Sequence, residues 1–260
     1  MKASASASTK SRRPKGRAPA TFAAKNCGGA STLILFDIDG TLVLTGGAGG
    51  RAMSRAFEEV FAVANAFRGI PMAGRTDAWI LSDAATAHGI PPDSPGLSRF
   101  REIYLGYLAL EIVAPGVARK GLMPGVRELL EALATREDVY LALLTGNYEE
   151  GARLKLEYFD LWKYFSCGAF GDDAPHRNVL VPKALARVAA CGGIAFAAAD
   201  AIVIGDTPLD VGCARHAGAR SLAVATGSHS VVELRAAGAD MVLQDLSDTD
   251  EAVRILCLRK

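Results

Sequence analysis

Cysteine is scarce and scattered. The five cysteines, Cys27, Cys167, Cys191, Cys213 and Cys257, include no pair at CxxC spacing. An odd, dispersed set argues against a disulfide framework and against a cysteine-held zinc, and it points to a reducing compartment, expected to be the cytoplasm. Histidine is scarcer still. His88, His176, His216 and His229 show no metal-ligand spacing and are expected to be structural. Long apolar runs are also missing. None approaches the roughly 20 residues that cross a bilayer, and charged residues break the candidates, as Asp200 breaks 194–204. No membrane partner is expected. Acid is absent from residues 1–36, which hold seven Lys/Arg. The rest of the chain therefore carries 22 basic against 28 acidic residues, a net of −6, although the whole chain is formally +1.

Half of the 260 residues are apolar and 22% are charged, which excludes a wholly disordered chain. Residues 1–30 are the exception. They are rich in Ser, Ala, Gly and basic residues, without apolar periodicity, and are expected to form a disordered basic tail. The tail has no apolar signal-peptide core. Its Arg- and Ser-rich, acid-free composition also fits an organellar transit peptide, but a solvated extension is the preferred reading. Its basic residues are not interleaved with aromatics, so no nucleic-acid partner is expected.

Beyond the tail, short continuous apolar runs recur at 33–37, 139–144, 201–204, 221–225 and 241–243. Unbroken runs of this length are expected of parallel strands covered on both faces. Helical patterns at 126–135, 148–161, 179–190, 209–217 and 231–237 alternate with them, and Asn147 with Glu150 resembles a capping box. The alternation predicts an α/β fold with a doubly wound, mainly parallel sheet. Residues 46–121 break the rhythm. They offer no good strand and read as helices at 51–64, 78–87 and 97–112, separated by turn signals. The expected organisation is an α/β core from 31–45 and 122–260, with an inserted helical cap domain at 46–121. Gly46, Gly47, Gly49 and Gly50 suit a hinge or a plain linker at the start of the cap.

The chemistry-bearing signal is Asp37-Ile38-Asp39-Gly40-Thr41, directly after the first strand. Ligands bind at the carboxyl ends of strands in open α/β sheets. Asp-Gly is also ordinary turn chemistry. Two carboxylates two residues apart after an apolar strand nevertheless suit Mg²⁺, and a carboxylate can serve as a nucleophile. Thr145-Gly146-Asn147 ends the second long run with a hydroxyl and leads into a helix N-terminus, an anion site or a plain capped turn. Gly205-Asp206-Thr207-Pro208-Leu209-Asp210 follows the third. Asp206 is placed to meet Asp37 and Asp39 if the strands are adjacent. Asp210 fits equally a capping box with Thr207 and a place in the site. Gly74-Arg75-Thr76-Asp77 reads first as a helix cap and second as a substrate contact.

Together these motifs make the sequence, from residue 33 to about 246, resemble the haloacid dehalogenase superfamily of hydrolases. The resemblance is greatest to the phosphoglycolate-phosphatase-like group, in which a helical cap follows the first motif. The family's first motif, DxDGT, corresponds to Asp37–Thr41, its second to Thr145, and its fourth, GDxxxD, to Asp206 and Asp210. Its third is a Lys or Arg. Arg177, just before a helix, is expected to fill that role, with Lys183, about a turn into the helix, as the alternative.

The resemblance implies a mechanism. Asp37 attacks phosphorus and becomes an aspartyl-phosphate, and Asp39 protonates the leaving alcohol and then activates water. Mg²⁺ lies between the Asp37 side chain, the Asp39 backbone carbonyl and Asp206, with Asp210 in support. Thr145, the Gly146 N–H and Arg177 hold the phosphoryl oxygens. A halide leaving group needs no proton, so the presence of Asp39 argues for phosphate esters. The expected function is a Mg²⁺-dependent phosphatase acting on a small phosphorylated metabolite, a phosphoglycolate-like monoester. A phosphomutase of the β-phosphoglucomutase type and a non-catalytic binding protein on the same scaffold remain as alternatives.

Overall fold

The computed structural model describes residues 32–257. The tail expected to be disordered lies outside them. In chain order the elements are β1 (Thr32–Phe36), β2 (Val43–Thr45), α1 (Ala48–Phe61), α2 (Asp77–Ala87), α3 (Pro95–Glu111), β3 (Lys120–Leu122), α4 (Val126–Ala134), β4 (Val139–Leu144) and α5 (Glu149–Tyr158). They continue with β5 (Gly168–Ala169), α6 (Leu180–Gly192), β6 (Ala201–Gly205), α7 (Pro208–Ala217), β7 (Arg220–Val224), α8 (Val231–Ala236), β8 (Met241–Leu243) and α9 (Thr249–Cys257).

The main sheet has the order β5-β4-β1-β6-β7-β8, and all of its pairings are parallel. This is the doubly wound α/β architecture that the strand–helix alternation predicts. Period-2 alternation distributes β1 between two apolar layers. Ile34 and Phe36 pack with α4, α5 and α9, while Leu33 and Leu35 pack with α6 and α7. Both faces are therefore buried, and β1 is apolar throughout. Winding runs in opposite directions from β1, so β4 and β6 flank it in register, Phe36 lying beside both Leu143 and Ile204. That reversal opens a crevice where the ends of β1, β4 and β6 meet.

The helical stretch between β2 and β3 has a core of its own. Phe57, Phe100, Tyr104 and Leu108 are buried there, and Phe57 and Phe100 meet edge to face with ring centroids 6.2 Å apart. Its two crossings are fastened together, because β2 and β3 pair antiparallel, Val43 against Leu122. No good strand was expected from Gly46 to Gly121, and β3 begins inside that range; three residues containing a glycine carry too little pattern to read. Helix α1 starts at Ala48, so Gly49 and Gly50 belong to the helix, while Gly46 and Gly47 adopt left-handed φ values of 64° and 81° before it. A further correction concerns Asn147. The N-cap of α5 is Tyr148, without a side-chain cap bond. Asn147 turns its amide elsewhere.

Candidate active site

Asp37 follows β1 directly, and its own N–H donates to Ile204 O across the crevice (2.9 Å). Its carboxylate is buried with those of Asp206 and Asp210, and one oxygen from each lies within 4.8 Å of the others. Burial, followed by the opposing pulls of Arg177 (down) and of the Asp210 and Asp39 charges (up), pushes Asp37 up to about 6. Burial and the neighbouring charges of Asp210 and Asp37 push Asp206 up to about 8. Three converging carboxylates are the hard-oxygen donor set a small divalent cation requires. Thr41 Oγ1 donates to Asp206 Oδ1 (3.1 Å). The loop packs tightly here. A Cβ on Gly40, at φ 84°, would lie 2.5 Å from Asp206 Oδ2, so only glycine fits.

Arg177, not Lys183, reaches this cluster. It is 2% exposed, in a 3₁₀ turn (Arg177–Val179), whereas Lys183 is exposed on α6. Nη2 of Arg177 contacts Asp37 Oδ1 (3.0 Å) and Asp210 Oδ1, and it donates to Leu144 O (3.1 Å). Burial alone would lower its pKa, but the charges of Asp210 and Asp37 raise it well above the ordinary arginine value. The partners of its two Nη atoms are carboxylates and carbonyls, while its buried Nε has no hydrogen-bond partner among the described residues. Asp210 caps α7 and also lies within the carboxylate cluster. Its Oδ2 accepts from Thr207 N (3.0 Å) and Thr207 Oγ1 (2.7 Å) in the capping box of α7, and Oδ1 faces Arg177. The N-cap of α6 is Val179, with no side-chain cap bond.

Thr145 follows β4 directly and is fully buried. Its Oγ1 accepts from Asn147 Nδ2 (2.8 Å) and, at longer range, Asn147 N (3.3 Å). Both bonds are accepted, so the hydroxyl proton stays available to the cavity that Thr145 lines. Gly146 is pressed against the helical insertion. A Cβ there would sit 2.0 Å from Arg75 O, which requires glycine.

Asp39 faces a different environment. Its side chain is 44% exposed and lies outside the three-carboxylate cluster. Its Oδ2 accepts from Lys155 Nζ (2.6 Å) and Asn147 Nδ2 (2.8 Å). Lys155, on α5, was missed by reading the sequence, yet it is only 4% exposed. A signal for it exists. Gly151, Ala152, Lys155 and Leu156 form the buried stripe of α5, and a lysine on such a stripe points inward.

The insertion closes over these groups. Asp77 N donates to Gly146 O (2.8 Å), Asp77 Oδ2 accepts from Tyr148 N (2.9 Å), and Thr76 Oγ1 donates to Pro175 O (2.6 Å). Burial, opposed chiefly by the charge of Lys155, pushes Asp77 up to about 7. Thr76 also caps α2, accepting from Trp79 N (3.1 Å). Arg75 pairs with Asp83 and stacks on Trp79, its guanidinium carbon 4.4 Å from the ring centroid. His176 packs edge-on against Trp79, and His88 bonds Ala66 O (3.0 Å). Between insertion and sheet lies a cavity of about 440 Å³. Its floor includes Asp37, Asp39 and Thr145, and Met53, Met72, Ile80 and Tyr104 line it from the insertion.

Comparison with known proteins places the chain in a family. The model of the family described as haloacid dehalogenase-like hydrolase matches residues 34–215. A probable phosphatase, IndB, of Dickeya dadantii (strain 3937) is 26% identical over 233 residues, which cover 86% of this chain and 94% of that protein. Among solved structures, a predicted phosphoglycolate phosphatase from Haemophilus somnus 129PT superposes with a TM-score of 0.62 at 19% identity, covering 86% of this chain and 98% of the other. A putative β-phosphoglucomutase from Thermotoga maritima superposes at 0.57 and 22% identity, covering 86% and 99%. At such identities the two structures speak for the fold alone. The family match spans well over half of the chain and includes Asp37, Asp39, Thr145, Arg177, Asp206 and Asp210. The protein belongs to the haloacid dehalogenase-like hydrolase family.

Proposed function

We propose that the protein is a Mg²⁺-dependent phosphatase that hydrolyses a small phosphorylated metabolite through an aspartyl-phosphate on Asp37. One observation carries the reading. A buried carboxylate, Asp37, stands at the floor of a 440 Å³ cavity, 3.0 Å from a buried guanidinium and grouped with two further carboxylates. Asp37, Asp206 and Asp210, with the Asp39 backbone carbonyl, are the groups to hold Mg²⁺. When bound, the cation offsets the negative charge shared by nucleophile and phosphate.

The chain's own residues divide the remaining work. Arg177 fixes Asp37 and lowers the repulsion that an incoming phosphate meets. Asp37 forms a bond to phosphorus while the bond from phosphorus to the leaving oxygen breaks. The Thr145 hydroxyl and the Gly146 N–H are the donors for phosphoryl oxygens. Asp39 gives its proton to the leaving oxygen, then takes one from the water that hydrolyses the acyl phosphate. The insertion excludes bulk water and meets the leaving group. Its lining of Met53, Met72, Ile80 and Tyr104 favours a leaving group with an apolar face, and Arg75 already has Asp83 as its ion partner. The enzyme's compartment is proposed to be the cytoplasm.

The test is hydrolysis of p-nitrophenyl phosphate by the full chain, with Mg²⁺ and with EDTA, beside Asp37→Asn. Release of phosphate that needs Mg²⁺ and is abolished in Asp37→Asn is expected. Release that survives EDTA, or survives Asp37→Asn, would overturn the reading.

A further inference from the structure

Lys155 has no part in the chemistry derived so far, yet it is among the most buried charged groups of the site. Burying a lysine is unfavourable unless partners hold its ammonium. Here Nζ donates to Asp39 Oδ2 (2.6 Å) and to Asn147 Oδ1 (2.6 Å). Asn147 in turn donates from Nδ2 to the same Asp39 Oδ2 (2.8 Å) and to Thr145 Oγ1 (2.8 Å). The network is closed. It joins the partly exposed carboxyl of Asp39 to the buried hydroxyl of Thr145, and both groups line the cavity.

We infer that Lys155, with Asn147, is the positioning group for Asp39. The inference rests on the reading above, in which Asp39 is the acid–base group. A half-exposed carboxyl on a loop otherwise samples several rotamers. Two donors converge on Oδ2, one of them a cation, and they hold the side chain in one of these. The same convergence distinguishes the two oxygens. Oδ2 is occupied as an acceptor, so the proton that Asp39 transfers sits on Oδ1. Proton transfer then runs from Oδ1 to the leaving oxygen as its bond to phosphorus breaks, and Oδ2 never leaves its donors. Lys155 touches no reacting atom; it acts through Asp39. A lysine that merely balanced buried charge would affect folding, and every substrate equally.

The experiment measures kcat/KM for an alkyl phosphate and for p-nitrophenyl phosphate, with wild type, Asp39→Asn, Lys155→Met and Asn147→Ser. Mg²⁺ is saturating, and thermal melts verify the fold. An alkoxide needs a proton to leave, whereas p-nitrophenolate leaves without one. General acid catalysis is typically worth on the order of 10²-fold or more. Lys155→Met is expected to lose about that much on the alkyl ester and less than about tenfold on the nitrophenyl ester. Asn147→Ser is expected to show the same asymmetry with a smaller loss, and it decides the matter if Lys155→Met fails to fold. An equal loss on both esters, or no loss on either, overturns the inference. Asp39→Asn separates the two levels of the argument. If it is selective and the Lys155 and Asn147 variants are not, this inference fails alone; if Asp39→Asn is itself unselective, the acid–base reading of Asp39 fails with it.

Discussion

Two sides of one cavity are built on opposite principles. The sheet side concentrates charge. Asp37, Asp206, Asp210 and Arg177 are all less than 5% exposed, and each is held by a neighbour of the opposite sign or by a hydroxyl. The helical side presents Met53, Met72, Ile80 and Tyr104, with its one lining arginine engaged by Asp83. Chemistry common to phosphate esters needs fixed charges, which the rigid ends of three adjacent strands supply. Discrimination among leaving groups needs shape and apolar contact, which a separately packed helical unit can vary without disturbing the sheet.

If the two sides are separable, their variants must fail differently. The largest effect is expected from Arg177→Met. It leaves Asp37 and Asp210 buried without their cation, and breaking such a pair costs about 3–5 kcal/mol of stability. Denaturant melts should show that loss, and kcat should collapse on every ester tested. Similar losses from a variant on the helical side would break the comparison.

A second test uses pH. Asp206 and Asp37 are raised above the ordinary carboxylate value of 3.8, to about 8 and about 6. Groups shifted in this direction stabilise the fold below their unfolded value and lose that contribution as pH rises through the folded one. The melting temperature of the metal-free protein is therefore expected to fall by several degrees between about pH 5 and pH 9. Bound Mg²⁺ should oppose the fall, with an affinity that rises over the same window as these carboxylates shed protons. Asp77, raised to about 7 on the helical side, sharpens the contrast. Asp77→Asn should flatten part of the metal-free slope while leaving the Mg²⁺ response intact.

Smaller effects follow. Met72→Ala should lower kcat/KM for an ester with an apolar leaving group by about 1 kcal/mol, roughly fivefold, with little change for a small polar one. Competition between two esters measures this directly. Lys183→Ala should change neither activity nor stability by more than about 0.5 kcal/mol, because Lys183 is exposed on α6. An effect of Lys183→Ala comparable to that of Arg177→Met would reverse the assignment of the cation.

The same contrast explains what was readable in the sequence. β1, β4 and β6 are continuous apolar runs that stop at a polar residue, so the strands and Asp37, Thr145 and Asp206 at their ends stand out together. In the insertion α1 stands out by its period, and α2 and α3 by the turn signals that bound them. Of the strands of two or three residues, β8 is an unbroken apolar run and was legible, whereas β2, β3 and β5, which contain Thr, Lys or Gly, were not; α9 lay beyond the last pattern read. Asn147 looked like a cap because Asn before a helix usually is one, and only the position of Asp39 reveals its other use. Lys155 stands on a helix rich in charged residues and drew no reading from the sequence. Its stripe with Gly151 and Ala152 is weak because glycine and alanine mark a buried face less clearly than leucine. Asp77 read as a helix-start acid, and its burial depends on how the insertion docks on Gly146 and Tyr148, contacts distant in sequence.

The central claim is that Asp37 is the residue that takes the phosphoryl group. Rapid acid quenching of the Mg²⁺-loaded enzyme during turnover of p-nitrophenyl phosphate, followed by mass spectrometry of its peptides, tests it most directly. The account predicts a phosphoryl group on the peptide containing Asp37, borne by Asp37 and absent from Asp37→Asn. A phosphoryl group on any other residue, or sustained turnover in which none is trapped on Asp37, would contradict it.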